Sequence, residues 1–334
     1  MLDDLLFTTN AVMPIVAMVA IGYFLKRLKI ISMAGAKEMN KLVFKLFLPV
    51  LLFFNVYKIE SSHGINLWYI GFVAVVVLLI FGIAALTVGF ITDDEKKKGA
   101  WVQVTFRSNY ALIGIPLAKA VGGEMGNALA TLLSAFAIPL FNVLAVIAMS
   151  IYSGTGKRIN IKKIILDILK NPLIDAIALG GIVLFIRAML VRAGIDFRLL
   201  DKDSASLGWL YSLVSQVSSV ATPLALIVLG ANFEFSAIPG LKKEIITGVV
   251  ARCVIAPIIG LSLAFLIGGF TSAEIAVFLS VFGTSVAVSS VPMAQEMDSD
   301  AELAGQLVVW TTLISALTLF VFIYALKAGG VFQV

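Results

Sequence analysis

Trp101–Gly123 reads WVQVTFRSNYALIGIPLAKAVGG. The stretch is mostly apolar and long enough to cross a bilayer, as a membrane helix must be. Its middle departs from that pattern. Arg107, Ser108 and Asn109 stand there, with Gly114 and Pro116 shortly after. Proline has no N–H to donate and its ring clashes with the preceding turn, while glycine tolerates unwinding. The helical ladder is therefore expected to fail around Gly114 and Pro116, near the midplane. Non-helical backbone at that depth is tolerated only where it is buried in protein or lines a cavity. Taken alone, the stretch reads equally well as a simple proline kink or as a broken helix that builds a binding site.

A second stretch bears on that choice. Val281–Pro292, VFGTSVAVSSVP, repeats the pattern of Thr105–Pro116, TFRSNYALIGIP. With the prolines aligned, Phe106 meets Phe282, Ser108 meets Thr284, Asn109 meets Ser285 and Ala111 meets Ala287. Leu112, Ile115 and Pro116 meet Val288, Val291 and Pro292, Glu124 meets Asp300, and Pro49 pairs with Pro223 at nearly the same offset. Apolar helices resemble one another by chance, so the shared broken centre and register matter more than the matches. Paired interruptions in two halves of a chain are the sequence pointer to a secondary transporter's site.

Of the 334 residues, 60% are hydrophobic and 13% charged, and the mean hydropathy is +1.04. A soluble domain carries about a quarter charged residues, so this is a polytopic membrane protein. The net charge of +5 is spread over loop clusters and speaks of orientation in the bilayer, with no nucleic-acid partner implied. The single Cys253 excludes an intrachain disulfide and a cysteine metal cluster, and the single His63, expected in a short loop, excludes histidine-pair zinc sites and a histidine relay. The first apolar run, from Leu5, lacks a basic leader and is followed by KRLK, so it reads as a span rather than a cleaved signal.

Ten spans are expected. They lie near Leu5–Leu25, Met39–Tyr57, Leu67–Ile91, Trp101–Val121 and Met125–Ile151, then near Pro172–Val191, Leu207–Gly230, Glu244–Ile267, Glu274–Met297 and Leu303–Leu326. Lys41 and Lys45 in the first turns of span 2 imply snorkelling side chains or an amphipathic start. With the N-terminus outside, the cytoplasmic loops hold fourteen cations: Lys26, Arg27, Lys29, Lys37, Lys96, Lys97, Lys98, Lys157, Arg158, Lys162, Lys163, Lys170, Lys242 and Lys243. The outer side holds seven: Lys58, Lys119, Arg187, Arg192, Arg198, Lys202 and Lys327, of which Arg198 and Lys202 make the Asp196–Asp203 loop rather basic. That bias places both termini outside the cell membrane. Five spans per half is an odd number, so the halves insert in opposite senses as an inverted repeat. Residues 1–151 form the first repeat, 152–171 a short basic cytoplasmic linker and 172–334 the second repeat.

Ionisable groups within spans are costly and are functional candidates by default. Arg107 lies about two turns into span 4, and Arg252 near the middle of span 8; span 3 has none between Asn66 and Thr92. Glu296, Asp298, Asp300 and Glu302 crowd the turn after span 9, where a solvated loop with helix-start acids is favoured over an ion site. Asn142, after Pro139, reads equally as packing glue and as a site residue.

The segments MPIVAMVAIGYFLKRLKIIS, MNKLVFKLFLPVLLF, SNYALIGIPL and VPMAQEMDSDAELAGQLVVWTT resemble the auxin efflux carrier family, which includes the plant PIN-formed auxin carriers and bacterial permeases for malate and malonate. The resemblance covers nearly the whole chain and includes an asparagine followed seven residues later by proline, here Asn109 and Pro116. The long cytoplasmic loop of many plant members is absent, so the chain resembles a bacterial-type member. The resemblance implies two five-helix inverted repeats with broken helices 4 and 9 crossing at the substrate site. It further implies a scaffold of spans 1, 2, 6 and 7 that forms a homodimer interface, and a transport domain of spans 3–5 and 8–10 moving in an elevator-like manner. Asn109 would contact substrate, and Pro116 and Pro292 would be the crossover prolines. Ser285, standing where the second repeat has no asparagine, implies an asymmetric site.

Physical chemistry favours an anion independently. Helices restarting at Pro116 and Pro292 would aim two positive half-helix ends at the crossing, with hydroxyls from Ser289 and Ser290 nearby. The candidate substrate-binding set is Arg107, Ser108, Asn109, Gly114, Pro116, Asn142, Ser285, Ser289, Ser290 and Pro292. Arg107 is read as drawing the anion or as capping carbonyls, with the first preferred, and Arg252 as a structural cation tied to carbonyls. The leading function is a secondary transporter of small organic anions such as carboxylates and dicarboxylates, without cofactor and with Na+ or H+ open as coupling ion. A cation–proton antiporter would want membrane-embedded aspartates near the crossing, and spans 4 and 9 supply none before Glu296. An intramembrane enzyme would need a dyad or zinc ligands that the sole histidine mostly forbids. No Walker-type loop supports direct ATP drive, and no appended domain supports a sensor.

Overall fold

Apolar runs bounded by capping residues become helices along almost the whole chain in a computed structural model that describes residues 2–58, 67–152, 161–193, 200 and 207–332. His63, linker residues 153–160 and all but Leu200 of residues 194–206 lie outside the described residues. The helices are α1 (Leu2–Arg27), α2 (Met33–Tyr57), α3 (Leu67–Thr87), α4 (Glu95–Phe106), α5 (Tyr110–Tyr152) and α6 (Ile161–Leu169). They continue as α7 (Pro172–Arg192), α8 (Gly208–Asn232), α9 (Phe235–Ile267), α10 (Ser272–Gly283), α11 (Ser290–Glu296) and α12 (Ala301–Ala328). No strand occurs among the described residues.

Starts follow side-chain chemistry. Asp94 caps α4 through Lys96 N–H, Asn171 caps α7 with Pro172 at the first helical position, and Asp300 caps α12 through Leu303 N–H. Thr271 and Glu274 form a reciprocal capping box on α10.

Prolines decide where helices widen. Three π-helical turns, Val43–Phe47, Tyr110–Gly114 and Ala251–Ile255, are each followed two residues later by a proline: Pro49, Pro116 and Pro257. A proline donates no hydrogen bond and its ring crowds the preceding turn. A one-residue widening just upstream absorbs both effects without ending the helix.

Among the described residues seven stretches are long and apolar enough to cross a membrane, where the sequence predicts ten spans. α1, at the expected first span, is not among the seven, and broken helices account for the other two. The expected fourth span is divided, because α4 stops at Phe106 and helix resumes only at Tyr110. The expected ninth is divided into α10 and the short α11. The expected fifth joins the second part of the fourth in α5, which folds back at Gly123, whose φ of 65° suits glycine. Tyr110 Oη donates to Ala130 O at 3.0 Å. Twenty residues of straight helix would hold them about 30 Å apart, so the two arms of α5 lie side by side.

Two packing groups result. α1, α2, α7 and α8 pack chiefly on one another, and α3, α4, α5, α9, α10, α11 and α12 pack together. α1 and α8 meet backbone to backbone: a Cβ on Gly22 would collide with Ile227 O, and one on Gly230 with Val19 O. Small residues permit such close approach where lipid offers no hydrophobic drive. Among the cations that sequence places in loops, Lys26 pairs with Glu234 at 2.9 Å, Lys96 with Asp298 at 2.6 Å and Lys97 with Glu244 at 3.3 Å. The bond from Lys26 also holds Glu234 below its ordinary carboxylate pKa. Asp298 and Asp300 thus serve an ion pair and a helix cap.

Candidate functional site

α4 ends as Arg107 turns extended, at φ −80° and ψ 107°, and α10 ends at Thr284, at φ −74° and ψ 162°. The two freed segments run antiparallel and bridge Ser108 to Val286. Asn109 N–H donates to Ser285 O at 2.8 Å, and Ala287 N–H to Arg107 O at 3.4 Å. Ser108 Oγ and Thr284 Oγ1 lie 2.7 Å apart, and Val286 N–H donates to Thr311 Oγ1 at 3.2 Å. Each break therefore supplies partners to the other, as buried backbone requires.

The break precedes the residues that announced it. Helix restarts at Tyr110 and Ser290, not at Pro116 and Pro292. Pro116 lies beyond the wide first turn of α5, and Pro292 is buried inside α11. Extended pairing has a second effect. Leaving the helix brings Arg107 and Asn109, which a continuous helix would point apart, to the wall of one pocket together with Ser108.

Arg107 is 1% exposed, and its partners are all neutral. Nη1 donates to Gln103 Oε1 at 3.1 Å and to Met293 Sδ at 3.0 Å; Nη2 donates to Asn142 Oδ1 at 2.8 Å and to Ser289 Oγ at 2.9 Å. No carboxylate pairs with it among the described residues. Asn142 is both glue and site, since its Nδ2 donates to Ile138 O at 2.8 Å while its oxygen orients Arg107. Arg252, 0% exposed, donates instead to carbonyls: Thr284 O at 2.7 Å, Val281 O at 2.8 Å and Thr105 O at 3.3 Å.

The pocket beside the bridged segments has a volume of about 70 Å³. Arg107, Ser108, Asn109, Asn142 and Ser289 line it from one packing group; Leu48, Leu51, Leu52, Asn55, Thr222 and Ala225 line it from the other. It shares Asn55 and Leu112 with a neighbouring cavity of about 260 Å³ that reaches Lys58, so it leads toward that end of the molecule. Asn109 Nδ2 is buried and has no hydrogen-bond partner among the described residues. Leaving such a donor unpaired costs about 1–3 kcal/mol.

The other expected residues stand behind the pocket. Ser285 and Ser290 are fully buried with hydroxyls that lack partners among the described residues. Gly114 admits the Tyr110 ring and Ser280 O, where a Cβ would collide. Sequence reading missed Gln103, which receives Arg107 and donates to Ser290 O at 3.3 Å, although its place four residues before Arg107 on a helix is a readable pairing signal. Met293 carried no such signal. Leu48 and Thr222 adjoin the paired prolines Pro49 and Pro223, a hint that those prolines mark the facing wall.

The sequence model of the membrane transport protein family matches residues 7–323. The chain is 22% identical over 320 residues to an uncharacterised transporter of Methanothermobacter thermautotrophicus, covering 93% of this chain and 96% of that one. It is 27% identical over 267 residues to an uncharacterised transporter of Methanocaldococcus jannaschii, covering 77% and 79%.

Proposed function

The chain belongs to the membrane transport protein family of the auxin efflux carriers, a multi-pass membrane protein, and from that premise we propose that it is a secondary transporter of small organic anions, carboxylates or dicarboxylates. One observation carries the choice of anion: a fully buried guanidinium, Arg107, with only neutral partners on the wall of a pocket where the Asn109 amide also lacks an acceptor. A buried charge without a counter-charge is expensive. A carboxylate in the pocket would offset that charge and accept from Asn109, and the first-turn N–H groups of α5 add a modest attraction. Cation–proton exchange would want a carboxylate there. The buried acids among the described residues, Glu244 and Glu274, are instead engaged with Lys97 and in the α10 capping box.

The same reading extends to mechanism. Spans would form two inverted repeats whose broken members cross at the bridge, with α1, α2, α7 and α8 as a dimeric scaffold. The other packing group would carry the anion across in an elevator-like stroke, with both termini outside the cell membrane. A pocket lined from both groups suits that division.

The test is a thermal-shift titration of purified protein with acetate, malonate, succinate and malate, because a ligand stabilises the state it binds. At least one carboxylate should stabilise the wild type saturably. Charge-assisted hydrogen bonds contribute about 1.5–3 kcal/mol, so Arg107→Gln should bind it about 10–100-fold more weakly, and Arg107→Lys should recover part of the loss. Unchanged affinity in a folded Arg107→Gln protein would remove the arginine from the anion site.

A further inference from the structure

Arg252 is as deeply buried as Arg107 yet does not line the anion pocket. Its three bonded carbonyls come from two different elements: Thr105 from the last turn of α4, and Val281 and Thr284 from the end of α10. A helix C-terminus carries about half a negative charge, so the two ends together present roughly one. A single monovalent cation neutralises that. In secondary transporters, unwound carbonyls and half-helix C-terminal ends of this kind are what coordinate a coupling sodium ion.

We propose that Arg252 is a tethered cation occupying the place of a coupling sodium ion, so that the carrier works without sodium. The inference rests on the transporter reading above, but it concerns a separate group of atoms. Guanidinium chemistry fits the role, because arginine stays charged when buried and spreads its donors in a fixed fork that can serve several oxygens at once. Local backbone fits too. Arg252 lies in the widened turn Ala251–Ile255 of α9, and its Nε and both Nη atoms find carbonyls at one point. Removing the side chain would leave the carbonyls of Thr105, Val281 and Thr284 together without a cation. That is a set of neutral oxygens facing two negative helix ends, a set that suits sodium.

The experiment needs no transported anion, so its outcome stands apart from the identity of the substrate. Unfolding temperatures of purified protein are compared in NaCl and in choline chloride, titrated at equal ionic strength. Wild type should unfold at the same temperature in both; a saturable rise specific to sodium would overturn the proposal. Arg252→Ala should unfold earlier in choline and regain about 2 °C or more in sodium once the ion exceeds its dissociation constant severalfold. A folded Arg252→Ala protein that ignores sodium would leave Arg252 as a plain carbonyl cap and refute the idea. Should Arg252→Ala not fold in either salt, Arg252→Lys keeps a charge at the site. It should fold with lowered stability and ignore sodium, and sodium-selective stabilisation of that variant counts against the proposal. A sodium-specific rise in the wild type overturns the proposal whatever the variants do.

Discussion

Arg107 and Asn109 do different work although they stand only two positions apart. Arg107 holds four neutral partners, Gln103 on α4, Asn142 on α5, Met293 on α11 and Ser289 just before α11, so its loss touches folding as well as charge. The Asn109 amide nitrogen holds nothing among the described residues. Asn109→Ala should therefore shift stability by less than about 1 kcal/mol, in the range of substitutions that break no buried network. It should weaken anion binding about tenfold or more, the loss of one charge-assisted bond. Calorimetric titration with whichever carboxylate stabilises the wild type, alongside thermal unfolding, separates the two effects. A large loss of stability with binding intact would make Asn109 a structural residue. The asparagine was legible in the sequence because a polar group at that depth has few other uses. Its pairing to Ser285 O was not, since backbone-to-backbone bonds leave no trace in side-chain pattern.

At the level of elements, proline and glycine announced a break but misplaced it by more than a turn. The ladder fails at Arg107–Asn109 because Thr284–Ala287 offers those residues a second set of backbone partners. That is a tertiary gain, invisible to local propensity. Pro116 instead follows a widened turn, and the same arrangement before Pro49 and Pro257 shows the local rule acting alone. Gly114 is required for packing, not for a break: it gives room to the Tyr110 ring and Ser280 O of α10, while Tyr110 Oη pins the two arms of α5. Gly114→Ala should destabilise the protein by about 1–3 kcal/mol, the usual cost of overpacking a tight contact. Chemical denaturation measures this, and a change under about 0.5 kcal/mol would mean that the ring moves aside freely.

For the whole molecule, composition and the paired motifs pointed to the all-helical membrane class and to the two interrupted segments that bridge each other. They did not give the division of packing, because which apolar faces join is settled by shape, as where Gly22 and Gly230 let α1 and α8 touch. That division makes the moving-domain mechanism testable. Asn55 and Leu112 line one pocket from opposite packing groups; Asn232 and Gln295 do the same for a cavity of about 340 Å³ near Glu234, toward the other end. The only native thiol, Cys253, is fully buried, so it contributes little background to crosslinking. Alternating access exposes one site to each side in turn, which requires the two cavities to close and open in opposition. Cysteine pairs at 55/112 and at 232/295 should therefore crosslink with yields that move in opposite directions when a stabilising carboxylate is added. A ligand shifts such an equilibrium only by its difference in affinity for the two states, so the change should saturate with the same dissociation constant as the thermal shift. Yields that stay fixed for both pairs at saturating carboxylate would sink the moving-domain mechanism and leave a static pore as the reading to pursue.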